Sequence, residues 1–137
     1  MQSVSTRGYL NEEYRLFHST DQRDLDFEAH NHDFHKVVLC LAGRVTYVME
    51  GTTYYLRPWD ILLIPEHQIH QSSFSSEEVY ERIILWINDR FLRRFGEPAL
   101  TEVFQWPHTR HSGLFRPDAQ RRGALLEKLE GVEKNEY

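Results

Sequence analysis

Between Glu13 and Asn88, short runs of β-branched and aromatic residues alternate with polar positions, and turn-forming residues interrupt them every eight to twelve positions. Alternation of this kind has the period of a strand, and its repetition predicts an all-β sandwich or barrel. Eight strands follow: Tyr14–Ser19, Leu25–Asn31, His35–Ala42, Val45–Glu50, Thr53–Arg57, Ile61–Ile64, Ile69–Phe74 and Tyr80–Ile87. Eight is the strand number of a jelly roll. Ala42-Gly43-Arg44 and Met49-Glu50-Gly51-Thr52 read as hairpin connections because glycine tolerates positive φ, and Arg57-Pro58-Trp59-Asp60 reads as a further turn. After Asn88 the period lengthens. Asp89 is placed to cap a short helix with Phe91, Leu92 and Phe95 on one face, which Gly96 ends. A second helix starts at Pro117-Asp118 and carries Leu125, Leu126, Leu129 and Val132 as its apolar stripe. Between them Glu97–Phe115 reads as a loop whose Phe104, Trp106, Leu114 and Phe115 dock on the core, with room for a turn of helix at Pro98–Thr101.

Composition narrows the function classes. Leu, Ile, Val and Phe supply 37 of the 137 residues, which is enough for one globular domain and too much for a disordered chain. Sixteen basic against 21 acidic side chains give a net charge of −5, so the basic excess that grips a phosphate backbone is missing and binding to DNA unaided is not expected. The longest apolar run, Val37–Ala42, is too short to span a bilayer, and Met1–Leu10 has no apolar signal core. A single cysteine, Cys40, excludes an internal disulfide and points to a reducing, cytoplasmic setting.

Eight histidines are many for this length. His30 and His32 are two apart, so on a strand they share a face with α-carbons roughly 6.6 Å apart. His70, on a later strand, would complete a three-nitrogen set if the strands pair. His30, His32 and His70 are therefore candidate metal ligands, and nitrogen ligation favours Zn or Ni over Ca or Mg. Lys36 opposes a cation if it points inward, whereas a lysine at a strand start is commonly solvated. His35 has the opposite parity to His32, and His67 sits in a polar turn, so both read as surface. Tyr47, Met49, Tyr54, Tyr55 and Trp86 could stack on a ligand or simply make core. In the last strand Glu81, Ile83 and Leu85 occupy one face and Tyr80, Arg82, Ile84 and Trp86 the other; both faces mix residue types, so apolarity does not decide which is inward.

The histidine segment resembles the first motif of the cupin superfamily, H-x-H followed by Glu and then Gly: His30-Asn31-His32 leads to Lys36 and Gly43, with the spacings kept and lysine in place of glutamate. The second cupin motif, G-x5-P-x-G-x2-H-x3-N, aligns on Trp59, Pro65, His67, His70 and Phe74, of which only Pro65 and His70 match. More closely, Phe27 to Phe95 is similar to the sugar-sensing domain of AraC-type transcription regulators. The residues that carry this are His30-Asn31-His32-Asp33-Phe34, the apolar strand Val37–Gly43, Tyr55-Leu56-Arg57-Pro58-Trp59-Asp60-Ile61-Leu62-Leu63-Ile64-Pro65, His70, and the aromatic last strand running into a helix.

That resemblance implies a mainly β fold, a cupin-like double-stranded β-helix or jelly-roll barrel followed by short C-terminal helices. Residues 1–13 would be an N-terminal arm, 14–88 the barrel, and 89–137 a helical extension holding a truncated dimerisation region. The helix-turn-helix domain that binds DNA would be absent from this chain. The implied role is a non-enzymatic effector-sensing and dimerisation domain, cytoplasmic and homodimeric in the full-length regulator, with a small polar metabolite, a sugar or sugar acid, held by His30, His32, Lys36, Tyr47, His70 and Glu81. The resemblance leans toward Glu81 facing inward. The rival is a small metal-dependent cupin enzyme, an isomerase or dioxygenase, since three histidines with open positions suit such chemistry. A third reading is a dimerisation module whose barrel is filled by its own side chains.

Overall fold

The computed structural model describes residues 5–6, 14–22, 25–26, 29–74, 77–95, 104, 112–124 and 127. Eleven strands and two helical segments, α1 and residues 119–124, appear among them: β1 (Ser5–Thr6), β2 (Tyr14–Asp21), β3 (Leu25–Asp26), β4 (His30–Asn31), β5 (His35–Ala42), β6 (Val45–Met49), β7 (Thr52–Leu56), β8 (Ile61–Ile64), β9 (His70–Phe74), β10 (Tyr80–Ile87), α1 (Asp89–Phe95) and β11 (Leu114–Phe115). One sheet runs β1-β4-β9-β6-β7 with β3 beside β9, and the other runs β11-β8-β5-β10-β2. All pairings are antiparallel except β1 with β4. The strands expected at residues 35–42, 61–64 and 80–87 have the bounds read from the sequence. The single strand expected over 25–31 is instead two short ones, with a bend at Ala29.

Strand alternation divides each strand between an inner and an outer environment. Val38 and Cys40 of β5, Tyr47 and Met49 of β6, Tyr54 and Leu56 of β7, Leu62 and Ile64 of β8, Phe74 of β9 and Tyr80 of β10 form the core between the sheets. Outside the second sheet, Leu63 packs with Leu92 of α1 and Phe104, flanked by Val37, Ile87 and Phe115. Burying Leu92 there contributes about 1.5–3 kcal/mol and holds α1 on the barrel. The helix is capped by Asn88, whose Oδ1 accepts the Arg90 N–H at 2.8 Å, so the expected cap, Asp89, is the first residue inside. Residues 119–124 are helical and Asp118 caps them, its Oδ1 accepting the Arg121 N–H at 2.9 Å. The stripe expected at Leu125, Leu126, Leu129 and Val132 lies outside the described residues. No helix among the described residues is long and apolar enough to cross a membrane.

Turns explain much of the motif pattern. Glu50 and Gly51 both have positive φ, 48° and 82°, which is the two-residue I′ turn that suits a hairpin. In Arg57-Pro58-Trp59-Asp60, the Asp60 N–H donates to the Arg57 carbonyl at 3.0 Å and Trp59 has φ 73°. Pro65-Glu66-His67-Gln68 repeats the arrangement, with φ 65° at His67. Positive φ at the third position alone is the mark of a type II turn, which ordinarily places glycine there. Trp59 and His67 are the two positions where the cupin motif has glycine, and both hold the positive φ that glycine favours.

Candidate functional site

His32, Phe34 and Lys36 continue the inward parity of Val38 and Cys40 toward one end of the barrel. Phe34 and His32 are buried, and their rings stack at 4.6 Å. Trp86 lies directly across from Lys36 on β10 and packs on Phe34 at 4.5 Å and on Phe17 at 4.7 Å. From the opposite sheet comes His70, 2% exposed, with its ring 5.1 Å from that of His32. Its Nδ1 donates to the Gln68 carbonyl at 3.0 Å, which leaves the lone pair of the neutral ring on Nε2. The backbone of His30 sits opposite His70 in the β4–β9 register, as the histidine set requires; the His30 side chain lies outside the described residues.

Lys36 is half-buried and turned inward, its ammonium 5.7 Å from the centre of the Tyr47 ring. Tyr47 is itself 3% exposed and belongs to the facing sheet, so the lysine reaches across the interior. It has no carboxylate within ion-pair distance among the described residues. Further along the same inward face, Arg82 differs: Asp21 pairs with it at 2.7 Å, and it lies over the Tyr80 and Phe74 rings. The sequence did not single out Arg82, although its parity with Tyr80, Ile84 and Trp86 was visible. Beside it the Tyr80 hydroxyl is buried with no hydrogen-bond partner among the described residues. Burial, then Tyr47 and Cys40, push its ionisation far above the phenol range, with Arg82 in partial opposition. Burial, followed by the carboxylates of Asp60 and Glu78, likewise pushes the Cys40 thiol up to about 12, so it is no nucleophile at neutral pH.

Two expectations are corrected. Glu81 faces outward: its neighbours Arg82 and Ile84 take the inward parity, and its carboxylate meets His18 Nε2 at 2.6 Å with both side chains more than a third exposed. His35 has the parity expected of it but is no surface residue, because α1 and Phe104 cover the outer face there. It is 3% exposed and stacked on Phe104 at 4.3 Å. Its Nδ1 accepts the Glu66 N–H at 3.0 Å and its Nε2 donates to Asp89 Oδ1 at 2.7 Å. Asp89 also accepts from Arg93. Burial works against the Asp89 carboxylate, but the hydrogen bonds from His35 and Arg93 outweigh it and hold the group below its ordinary 3.8.

The ligand atoms of His35, Glu66 and Asp89 lie within 4.8 Å of one another, close enough for a metal. The protonation does not fit one. A neutral imidazole that ligates through Nε2 carries its proton on Nδ1, and here Nδ1 must accept the Glu66 N–H. The group is a hydrogen-bonded latch between β5, the β8–β9 turn and α1. Among the other pocket candidates, Tyr47, Met49 and Tyr54 are core residues, Trp86 borders the histidine end, and Tyr55 is outside, 70% exposed.

Comparison with known proteins agrees with this architecture. The family model of the AraC-like ligand binding domain matches residues 14–120. Among solved structures, a cupin superfamily protein from Desulfitobacterium hafniense superposes with a TM-score of 0.51 at 14% identity, over 58% of this chain and 71% of that one. A Cupin 2 conserved barrel domain protein from Salinispora arenicola gives 0.51 at 17% identity, over 63% and 72%. A cupin-like protein from Thermotoga maritima gives 0.51 at 15%, over 58% and 60%. These show a cupin-like fold. No curated protein matches the chain in sequence.

Proposed function

Because this chain belongs to the AraC-like ligand-binding domain family, we propose that it is the effector-sensing domain of an AraC-like transcription regulator and that its barrel takes a small hydroxylated acid, a sugar acid before a neutral sugar. One observation carries the choice of ligand: the Lys36 ammonium faces the interior over Tyr47 without a carboxylate partner among the described residues. An uncompensated cation in a partly desolvated site favours an anion and disfavours a metal ion. His32 and His70 supply hydrogen-bonding nitrogens for hydroxyl groups, and Trp86 and Phe34 an apolar wall. On this reading the protein is cytoplasmic and no reaction is catalysed. Dimerisation and DNA binding belong to the full-length regulator. A metal-dependent cupin enzyme would instead use His30, His32 and His70 as ligands to iron, manganese, Zn or Ni.

Titration calorimetry with a hexuronate and with the matching neutral hexose tests the reading. The hexuronate should bind more tightly, and Lys36→Met should cost it about tenfold while leaving the neutral sugar unaffected. Equal binding of the two sugars, unchanged by Lys36→Met, would overturn the assignment of the lysine. Metal analysis of protein purified without added metal or chelator decides the rival: stoichiometric iron or manganese would favour the enzyme.

A further inference from the structure

β7 is the last strand of one sheet and β11 the last of the other, and no hydrogen-bonded pairing joins them among the described residues. A groove of about 500 Å³ opens there, reaching Val45 and Leu56 at the edge of the core, and three arginines line it: Arg44 before β6, Arg57 after β7 and Arg116 after β11. We propose that this seam is a second binding site, for a small metabolite bearing a phosphate or several carboxylates, distinct from the barrel interior.

Its construction supports this. Asp60, 2% exposed, accepts the Arg57 backbone N–H through Oδ2 at 3.1 Å and the Arg116 Nε–H through Oδ1 and Oδ2 at 3.0 and 3.2 Å. A buried carboxylate thus fixes both the turn that presents Arg57 and the guanidinium of Arg116. It grips Arg116 by Nε alone, so the four N–H groups on the two terminal nitrogens remain for an acceptor, and the side chain is 49% exposed. The Arg57 guanidinium has no acidic partner among the described residues, and Arg44 meets Glu78 only at 3.9 Å, a surface pair of small worth. Positive charge is therefore in local excess on a chain whose net charge is −5. Tyr55 stands at the wall with its ring exposed and Thr46 offers a hydroxyl. The volume falls in the range of small-molecule sites, and guanidinium forks suit phosphate and carboxylate oxygens.

The test is titration of the whole chain with inorganic pyrophosphate and with citrate at moderate salt, followed by backbone amide NMR shifts. Binding should shift residues 44–46, 55–60 and 114–116, and Arg57→Gln should weaken it about tenfold. Lys36→Met should leave it unchanged, and a bound hexuronate should not compete. Arg57→Gln leaves the Asp60–Arg116 pair intact, so its fold is not at risk. No saturable binding of either anion, binding unaltered by Arg57→Gln, or loss of binding in Lys36→Met would each overturn the proposal.

Discussion

Gly43 closes the β5–β6 turn with φ 80°, and a Cβ built on it would fall 2.4 Å from the Val79 carbonyl oxygen and 3.0 Å from the Tyr80 Cα. Both obstacles are backbone, at the start of the long strand β10, so neither can swing aside. Gly51 has nearly the same φ, 82°, with nothing within 4 Å of its Cβ position. The two alanine substitutions therefore separate conformational strain from collision. An L-residue at such a φ costs roughly 1–2 kcal/mol, from which about 0.4–1 kcal/mol returns because alanine narrows the unfolded ensemble. Gly51→Ala should then cost about 0–1.6 kcal/mol. Gly43→Ala adds the overlap, and forced overpacking costs about 1–3 kcal/mol more. Against a typical stability of about 5–15 kcal/mol this is a large loss. Urea unfolding followed by tryptophan fluorescence measures both, read as midpoint shifts at unchanged slope. If the two variants lose equal stability, the approach of β10 to the turn does not constrain Gly43 and the reasoning fails.

Two other predictions follow from the turn and latch geometry. His67→Gly should stabilise the protein by about 0.5 kcal/mol, since the side chain is exposed and its φ of 65° carries the left-handed penalty; a loss of stability by urea midpoint would show that the His67 ring matters to packing. Asp89 has a folded-state pKa below its unfolded value, so its contribution is fully present above about pH 4 and is lost as pH falls through the folded value. Asp89→Asn should be less stable at pH 7 by about 1 kcal/mol, and the gap to the unaltered protein should narrow on acidification; midpoints that fall in parallel from pH 7 to pH 2.5 would refute the latch.

Strands were legible where an apolar run is long and sharply bounded, as in His35–Ala42 and Ile61–Ile64, because burial on both faces leaves few alternatives. The two-residue strands β1 and β11 carry no periodicity of their own and exist only through their partners. For the site, parity was readable but its meaning was not. His35 and His32 were placed on opposite faces, yet whether the outer face is wet depends on α1 and Phe104, which lie more than fifty residues further on. For Glu81 the pattern decides nothing, since both faces of its strand mix charged and apolar residues; the inward side is what the resemblance implies, and the register with Cys40, Val38 and Ser19 sets it outward. The groove has no signature in the sequence, since Arg57 and Arg116 are distant along the chain and joined by one buried aspartate.

His35 and Lys36 are neighbours that look to opposite sides of β5, one held by α1 and the other turned into the barrel. A trans peptide unit is planar and sets consecutive α-carbons about 3.8 Å apart, so the residue that faces the interior and the residue that the helix holds are as close as a chain allows. Between the Tyr47 ring that Lys36 reaches and the Asp89 carboxylate that His35 holds there are thus two side chains and one peptide unit, with no loop. Interior and exterior therefore come within one residue of each other on β5.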